Sequence, residues 1–217
     1  MTRLLAIETS GGVCGAAVAV DGALVSTSEI LRPNVHDELL TDCVTSAVAH
    51  AGLQLADIDV VAVSAGPGSF TGLRIGASFA KGLCFDGACS LLAVPTLTAL
   101  HHAGREVAAL AGRTSVTAVV ASHRDLFYVA THAVSALGIE NPVRVIVRNE
   151  LQGACTADTL VVGPAAAQCT SEPVSGLTRL SARFVAHAAW ALLAAGVPFS
   201  DAQAFVPAYE QDFIPRS

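Results

Sequence analysis

Between residues 58 and 76 the chain passes from a buried-strand pattern into a glycine-rich turn and then a helix, a succession that few folds accommodate. Ile58 to Val63 is apolar apart from Asp59, as a strand covered on both faces must be. Ser64-Ala65-Gly66-Pro67-Gly68-Ser69 then places two glycines around a proline, which turns the chain sharply. Phe70 to Phe85 has helical spacing, with Ser69 or Thr71 placed to cap its start. A strand ending under a helix N-terminus leaves backbone N–H groups aimed at whatever docks there, so Gly66, Gly68 and Ser69 form either an anion cradle or a plain structural turn. It is not a P-loop, because no Gly-Lys-Ser/Thr follows, and its glycines fall one place off the dinucleotide fingerprint.

The flanking elements repeat. Leu4 to Thr9, Cys14 to Val20 and Ala23 to Ile30 read as three strands, the last two joined by an Asp21-Gly22 hairpin turn. A helix from about Val35 to Ala51 follows, with Asn34 as its expected cap and Gly52 as its stop. A strand from Leu91 to Val94 and a helix from Thr96 to Ala111 come after the central turn, giving the order βββαβαβα. From Ser115 a weaker version begins, with strands Val116 to Ala121, Leu126 to Val134, Val143 to Arg148 and Thr159 to Val162, then a helix from Ser181 to Ala195. Two related halves, the second eroded, predict an α/β protein with the two-lobed actin-like ATPase (ribonuclease-H-like) fold and a degenerate second lobe. The boundary falls near Gly112, giving lobes 1–112 and 113–217.

Composition narrows the function classes. A mean hydropathy of +0.57 raises the question of a membrane. The longest apolar stretch, Phe184 to Phe199, carries His187 and ends in Gly196 and Pro198, which is too short and interrupted to span one. Glu8 follows only four apolar residues at the N-terminus, unlike a signal peptide, so a cytoplasmic chain is expected. The six cysteines lack a C-x-x-C pair and sit among apolar neighbours, the pattern of reduced, buried side chains with neither disulfide nor zinc. A net charge of −6 with twelve Lys plus Arg disfavours autonomous nucleic-acid binding, which runs on phosphate neutralisation.

Beyond the turn, Gly72, Gly76 and Ala80 recur every four residues and form one smooth ridge. Glycine inside a helix costs about 1 kcal/mol against alanine, so close approach of another helix should offset it, within this chain or from a partner. At the first helix, His36 would need a second histidine at position 40 to make a metal site, and that residue is Leu40; no metal is expected.

Ile7-Glu8-Thr9-Ser10, His36-Asp37-Glu38-Leu39-Leu40, the eleven residues Gly66 to Gly76 (GPGSFTGLRIG) and Val94-Pro95-Thr96-Leu97 together resemble the bacterial TsaB (YeaZ) family in order and spacing. The likeness is close from Leu4 to Leu100 and loose beyond. It implies a role in making threonylcarbamoyladenosine in tRNA, where the related subunit TsaD transfers the threonylcarbamoyl group, TsaE is an ATPase and TsaB binds TsaD through its first lobe without being the transferase. With the ridge, it implies a partner or homodimer interface of His36, Leu39, Leu40, Cys43, Gly72, Leu73, Gly76 and Ala80, and contact with tRNA only through the complex.

Glu8, Thr9, Ser10, Gly66, Gly68 and Ser69 stand where actin-like kinases surround nucleotide phosphates, a vestigial site compatible with ATP or ADP shared at a subunit junction. The second phosphate loop is replaced by Ser122-His123-Arg124-Asp125, where the family resembles D-A-R, and the later glycine cluster is reduced to Gly163-Pro164. No cofactor is therefore expected on this chain alone, no catalytic residue is assigned, and an ATP-dependent small-molecule kinase is the alternative reading. No G-x-S-x-G or H-E-x-x-H motif occurs, and His101-His102 reads as solvated. Pro207-Ala208-Tyr209 is similar to the family's P-x-Y, with Glu210-Gln211 in place of Leu-Arg.

Overall fold

β1 (Arg3–Glu8) is the strand around which the first sheet is built. Its side chains alternate between two cores, Leu4 and Ala6 on one face and Leu5 and Ile7 on the other, and all four are fully buried. It pairs antiparallel with β2 (Cys14–Val20), which pairs with β3 (Ala23–Ile30), and parallel with β4 (Val60–Ser64), itself parallel to β5 (Ser90–Val94). The resulting order is β3-β2-β1-β4-β5. The β2–β3 turn uses Asp21 and Gly22 at positive φ, 47° and 84°, as a two-residue hairpin demands. The structure, a computed structural model, describes residues 1–123, 125–156 and 158–208, so Arg124, Tyr209, Glu210 and Gln211 lie outside the described residues.

Helices α1 (His36–His50) and α2 (Phe70–Leu83) cover one face of this sheet, sealing Leu40, Val44 and Ala80 against Leu5, Ile7, Val61 and Val63. Ser69 caps α2 as the sequence predicts, its Oγ accepting the Gly72 N–H at 3.2 Å. Asn34 does not cap α1. The cap position is Val35, with no side-chain hydrogen bond, and Asn34 takes the left-handed conformation at φ 59° that asparagine tolerates.

The second sheet has the order β8-β7-β6-β9, from β6 (Ser115–Ala121), β7 (Leu126–Ala133), β8 (Arg144–Val147) and β9 (Thr159–Val162). Its outer face packs Phe127, Val129 and Val161 beneath α4 (Arg148–Leu151) and a 3-10 turn at Ala166–Gln168. Between the sheets lie α3 (Thr96–Leu110) and α5 (Ala182–Ala194), packed on each other. Their placement crosses the sequence order: α3, which follows the first sheet, packs on β6 and β9, while α5, which follows the second, packs on β1 and β2. One continuous core results, joining Leu4, Ala6 and Ala17 through Val185, Ala189, Leu97 and Leu100 to Val116 and Ala118. Glu29 at the edge of the first sheet fixes the crossing, accepting hydrogen bonds from Ser181 Oγ and the Ala182 N–H, each at 2.6 Å, at the start of α5.

Candidate functional site

Where β1, β4 and β6 end, a cleft of about 360 Å³ opens between the sheets, bordered by Ser10, Gly11, Gly68 and Ser69 on one side and by Ser122, His123, Pro164 and Leu180 on the other. Of the residues read as a vestigial phosphate site, the strand-turn-helix motif brings Gly68 and Ser69 to this cleft beside Ser10, with Glu8 and Thr9 buried behind them, whereas Gly66 borders a separate cavity of about 270 Å³ with Pro67, Thr98 and His132. The polar groups at the cleft face one another. The Ser69 N–H donates to the Ser10 carbonyl at 2.7 Å, the Gly72 N–H to Ser69 Oγ, and the Leu73 N–H to the Ser69 carbonyl at 2.8 Å. The start of α2 thus spends these donors inside the chain. On the opposite wall, Leu180 stands so close to Gly11 that a Cβ there would meet its Cδ1 at 2.5 Å. No Lys or Arg borders the cleft among the described residues.

Glu8 is fully buried below this floor. Its Oε1 accepts both the Ser10 N–H, at 2.5 Å, and Ser10 Oγ, at 2.6 Å, while Oε2 has no hydrogen-bond partner among the described residues. Burial drives its pKa up to about 7, against the two Ser10 hydrogen bonds and with some help from the negative Glu29. The carboxyl therefore titrates near neutrality without reaching the cleft.

Tertiary packing corrects the expected interface. Of its eight residues, His36, Leu40, Cys43, Gly72, Leu73, Gly76 and Ala80 are buried within the chain and Leu39 is half-buried. The smooth ridge of α2 faces β1: a Cβ at Gly72 would overlap the Thr9 carbonyl oxygen and one at Gly76 the Thr9 hydroxyl. The offset for the helical glycines is thus close approach to the chain's own strand, because the four-residue repeat says which residues share a face and not what that face meets. His36 makes a helix-start contact, its Nε2 lying 3.1 Å from the Val13 carbonyl. The faces that α1 and α2 turn to solvent carry Asp37, Glu38, Thr41 and Asp42, and Phe70, Thr71, Arg74 and Ser78.

Of His101 and His102, both read as solvated, the first is withdrawn from water and the second is half-buried. His101 is completely buried, with Nε2 3.0 Å from the Ala136 carbonyl, and burial pushes its pKa down to about 4. His102 Nε2 lies 2.8 Å from the Leu137 carbonyl and its Nδ1 3.3 Å from Arg105, so Nε2 carries the proton and the ring is neutral. It borders a second cleft, of about 450 Å³, with Arg105, Glu106, His187 and Trp190. The sequence carried no signal for this grouping, which joins α3 to α5 across some eighty residues of chain.

Comparisons with known proteins agree with this architecture. A family model described as TsaD, tRNA N6-adenosine threonylcarbamoyltransferase, matches residues 32–142, just over half of the chain. A Haemophilus influenzae protein named tRNA threonylcarbamoyladenosine biosynthesis protein TsaB is 34% identical over 117 residues, covering 51% of this chain and 49% of that one. The Escherichia coli protein of the same name is 37% identical over 95 residues, covering 44% and 41%. The matches thus span about half the length of these relatives or less. Among solved structures, YeaZ from Pseudomonas aeruginosa aligns with a TM-score of 0.77 at 24% identity, covering 96% of this chain and all of that one, which shows a shared fold.

Proposed function

Because this chain belongs to the TsaD family and stands with its TsaB (YeaZ) members, we propose that it serves threonylcarbamoyladenosine formation in tRNA as a non-catalytic subunit docking on a TsaD-like transferase. The carrying observation is the cleft floor, where the Ser10 carbonyl occupies the Ser69 N–H, Ser10 occupies Glu8, and Leu180 closes over Gly11. With those donors and that carboxylate engaged within the chain, the floor offers few free groups to a nucleoside polyphosphate. The chain on this reading holds no cofactor alone, and ATP or ADP enters only at a junction with the partner. The two sheets are read as actin-like lobes, 1–112 and 113–217: β8-β7-β6-β9 repeats the order β3-β2-β1-β4 and lacks a counterpart to β5, a reduced second lobe. No helix among the described residues is long and apolar enough to cross a membrane, in keeping with a cytoplasmic site of action.

Docking is assigned to the outer face of α1 and α2. Asp37, Glu38 and Asp42 give α1 an acidic exterior, so the complementary surface on the transferase should be basic. Asp37→Lys with Asp42→Lys should leave the fold intact and weaken capture of the transferase roughly tenfold, mostly through slower and less salt-sensitive association. Unchanged association at low salt would remove this face from the interface. A homodimer of the isolated chain through the same face sets acid against acid, so added salt should tighten it, and light scattering showing a monomer at every salt concentration rejects that dimer.

The decisive experiment is reconstitution with TsaD-like and TsaE-like proteins, ATP, threonylcarbamoyl adenylate and unmodified tRNA, with this chain omitted from one arm. Modified adenosine should fall sharply in that arm. Equal yields would sink the accessory role, and tight calorimetric binding of ATP by the isolated chain would favour a kinase.

A further inference from the structure

The six cysteines, scattered in sequence, meet in the fold as pairs. Cys43 Sγ donates to the Cys14 carbonyl at 3.6 Å, and Cys155 and Cys169 pack against one apolar cluster under the second sheet. The third pair sets sulfur against sulfur. Cys84 ends α2 and Cys89 stands just before β5, with their sulfur atoms 3.3 Å apart. The intervening turn is shaped by Gly87 at φ 76° and by Asp86, whose carboxylate accepts the Ala88 N–H at 3.1 Å. A disulfide bond is about 2.05 Å long, so the sulfurs need close by only about 1.2 Å, within the range of side-chain rotation.

Access is also provided. Cys84 is buried, but Cys89 is half-buried and borders a cavity of about 230 Å³ at the foot of β4, lined by Ile58, Leu83 and Asp86 among others. One thiol can thus meet a small oxidant from solvent while the other waits behind it, the arrangement of an attacking and a resolving cysteine.

We propose that Cys84 and Cys89 form a reversible disulfide when the chain meets a hydroperoxide. The Cys89 sulfur attacks one peroxide oxygen and breaks the O–O bond, giving a sulfenic acid and, from hydrogen peroxide, one water. The Cys84 sulfur then attacks the Cys89 sulfur, displacing hydroxide that leaves with the Cys84 proton as a second water. Two thiols have lost two hydrogens and the peroxide has been reduced. A thiol reductant reverses the change by exchange. Burial holds both thiols above their ordinary range, Cys84 at about 12, so the reaction should quicken as pH rises from 7 to 9.

Trypsin separates the pairs. Residues 82–105 contain Cys84 and Cys89 with no internal Lys or Arg, and residues 4–74, joined through the resistant Arg32-Pro33 bond, contain Cys14 and Cys43. After the reduced full chain is treated with hydrogen peroxide, alkylated and digested, the 82–105 peptide should lack two hydrogens and resist alkylation, while the 4–74 peptide is alkylated twice. Dithiothreitol before alkylation should restore two alkyl groups to 82–105. The proposal fails if 82–105 stays doubly alkylated when 4–74 has already oxidised. It fails equally if Cys89 gains two oxygens while Cys84 remains alkylated, or if the chains become linked to each other.

Discussion

Gly72→Ala should lose about 2–3 kcal/mol of stability, while Gly82→Ala on the same helix should gain up to about 1 kcal/mol. Both changes give α2 the same improvement in helix propensity. They differ in what the added methyl meets. At Gly72 it runs into the Thr9 carbonyl, a backbone atom at the end of β1, where the Thr9 N–H is tied to Ser64 Oγ at 3.3 Å. A backbone oxygen cannot rotate away, so α2 must lift from the sheet and open the packing of Leu73 and Ala80. At Gly82 nothing lies within 4 Å of the new methyl. Gly76→Ala should fall between them, because its obstacle is the Thr9 hydroxyl at the end of a side chain. Denaturant midpoints for the three variants should rank Gly82→Ala, Gly76→Ala, Gly72→Ala from most to least stable. A Gly72→Ala protein as stable as the native chain would mean that the ridge does not face β1.

The second large effect is a pH dependence centred on Glu8. Its carboxyl titrates near the ordinary 4.5 when unfolded and at about 7 when folded, so the native state holds a proton that the unfolded chain has released. Stability contributed by this group is therefore fully present below pH 4.5, declines as pH rises through 7, and is flat above. The span amounts to about 3 kcal/mol, since each pKa unit is worth about 1.4 kcal/mol. Glu8→Gln keeps an oxygen for the Ser10 N–H and hydroxyl but cannot ionise. Its unfolding free energy should be close to native at pH 5 and higher than native at pH 8.5, by about 1–2 kcal/mol once the unpartnered amide is discounted. Identical pH profiles for the two proteins would show that the buried carboxyl is not the group responsible.

Most element positions were legible because their signals are local. β9 spans Thr159–Val162 as read, and α2 ends at Leu83, two residues short of Phe85. Capping by Ser69 and the Asp21-Gly22 turn depend on dihedrals and hydrogen bonds within four residues. Asn34 precedes the helix as a turn residue and not as its cap for a related reason, since asparagine suits both roles and composition does not choose between them. The candidate site was half legible. The chain motif places Glu8, Thr9, Ser10, Gly68 and Ser69 together at one end of the first sheet, with Gly66 turned to another cavity, yet the closing of the cleft by the Ser10 carbonyl and Leu180 involves residues up to 170 positions apart.

By itself the sequence determined the succession of strands and helices, the turn between β4 and α2, and the family likeness of the first hundred residues. Each rests on side-chain periodicity or on sterics among near neighbours. The tertiary structure alone decided that the ridge of Gly72, Gly76 and Ala80 faces inward, that α3 and α5 cross to the opposite sheets, that His101 is dry and that Cys84 meets Cys89. A helix's apolar stripe specifies burial without naming its counterpart. That choice is made by which packing buries the most apolar surface once the sheets are formed, a sum over contacts between residues far apart in the chain.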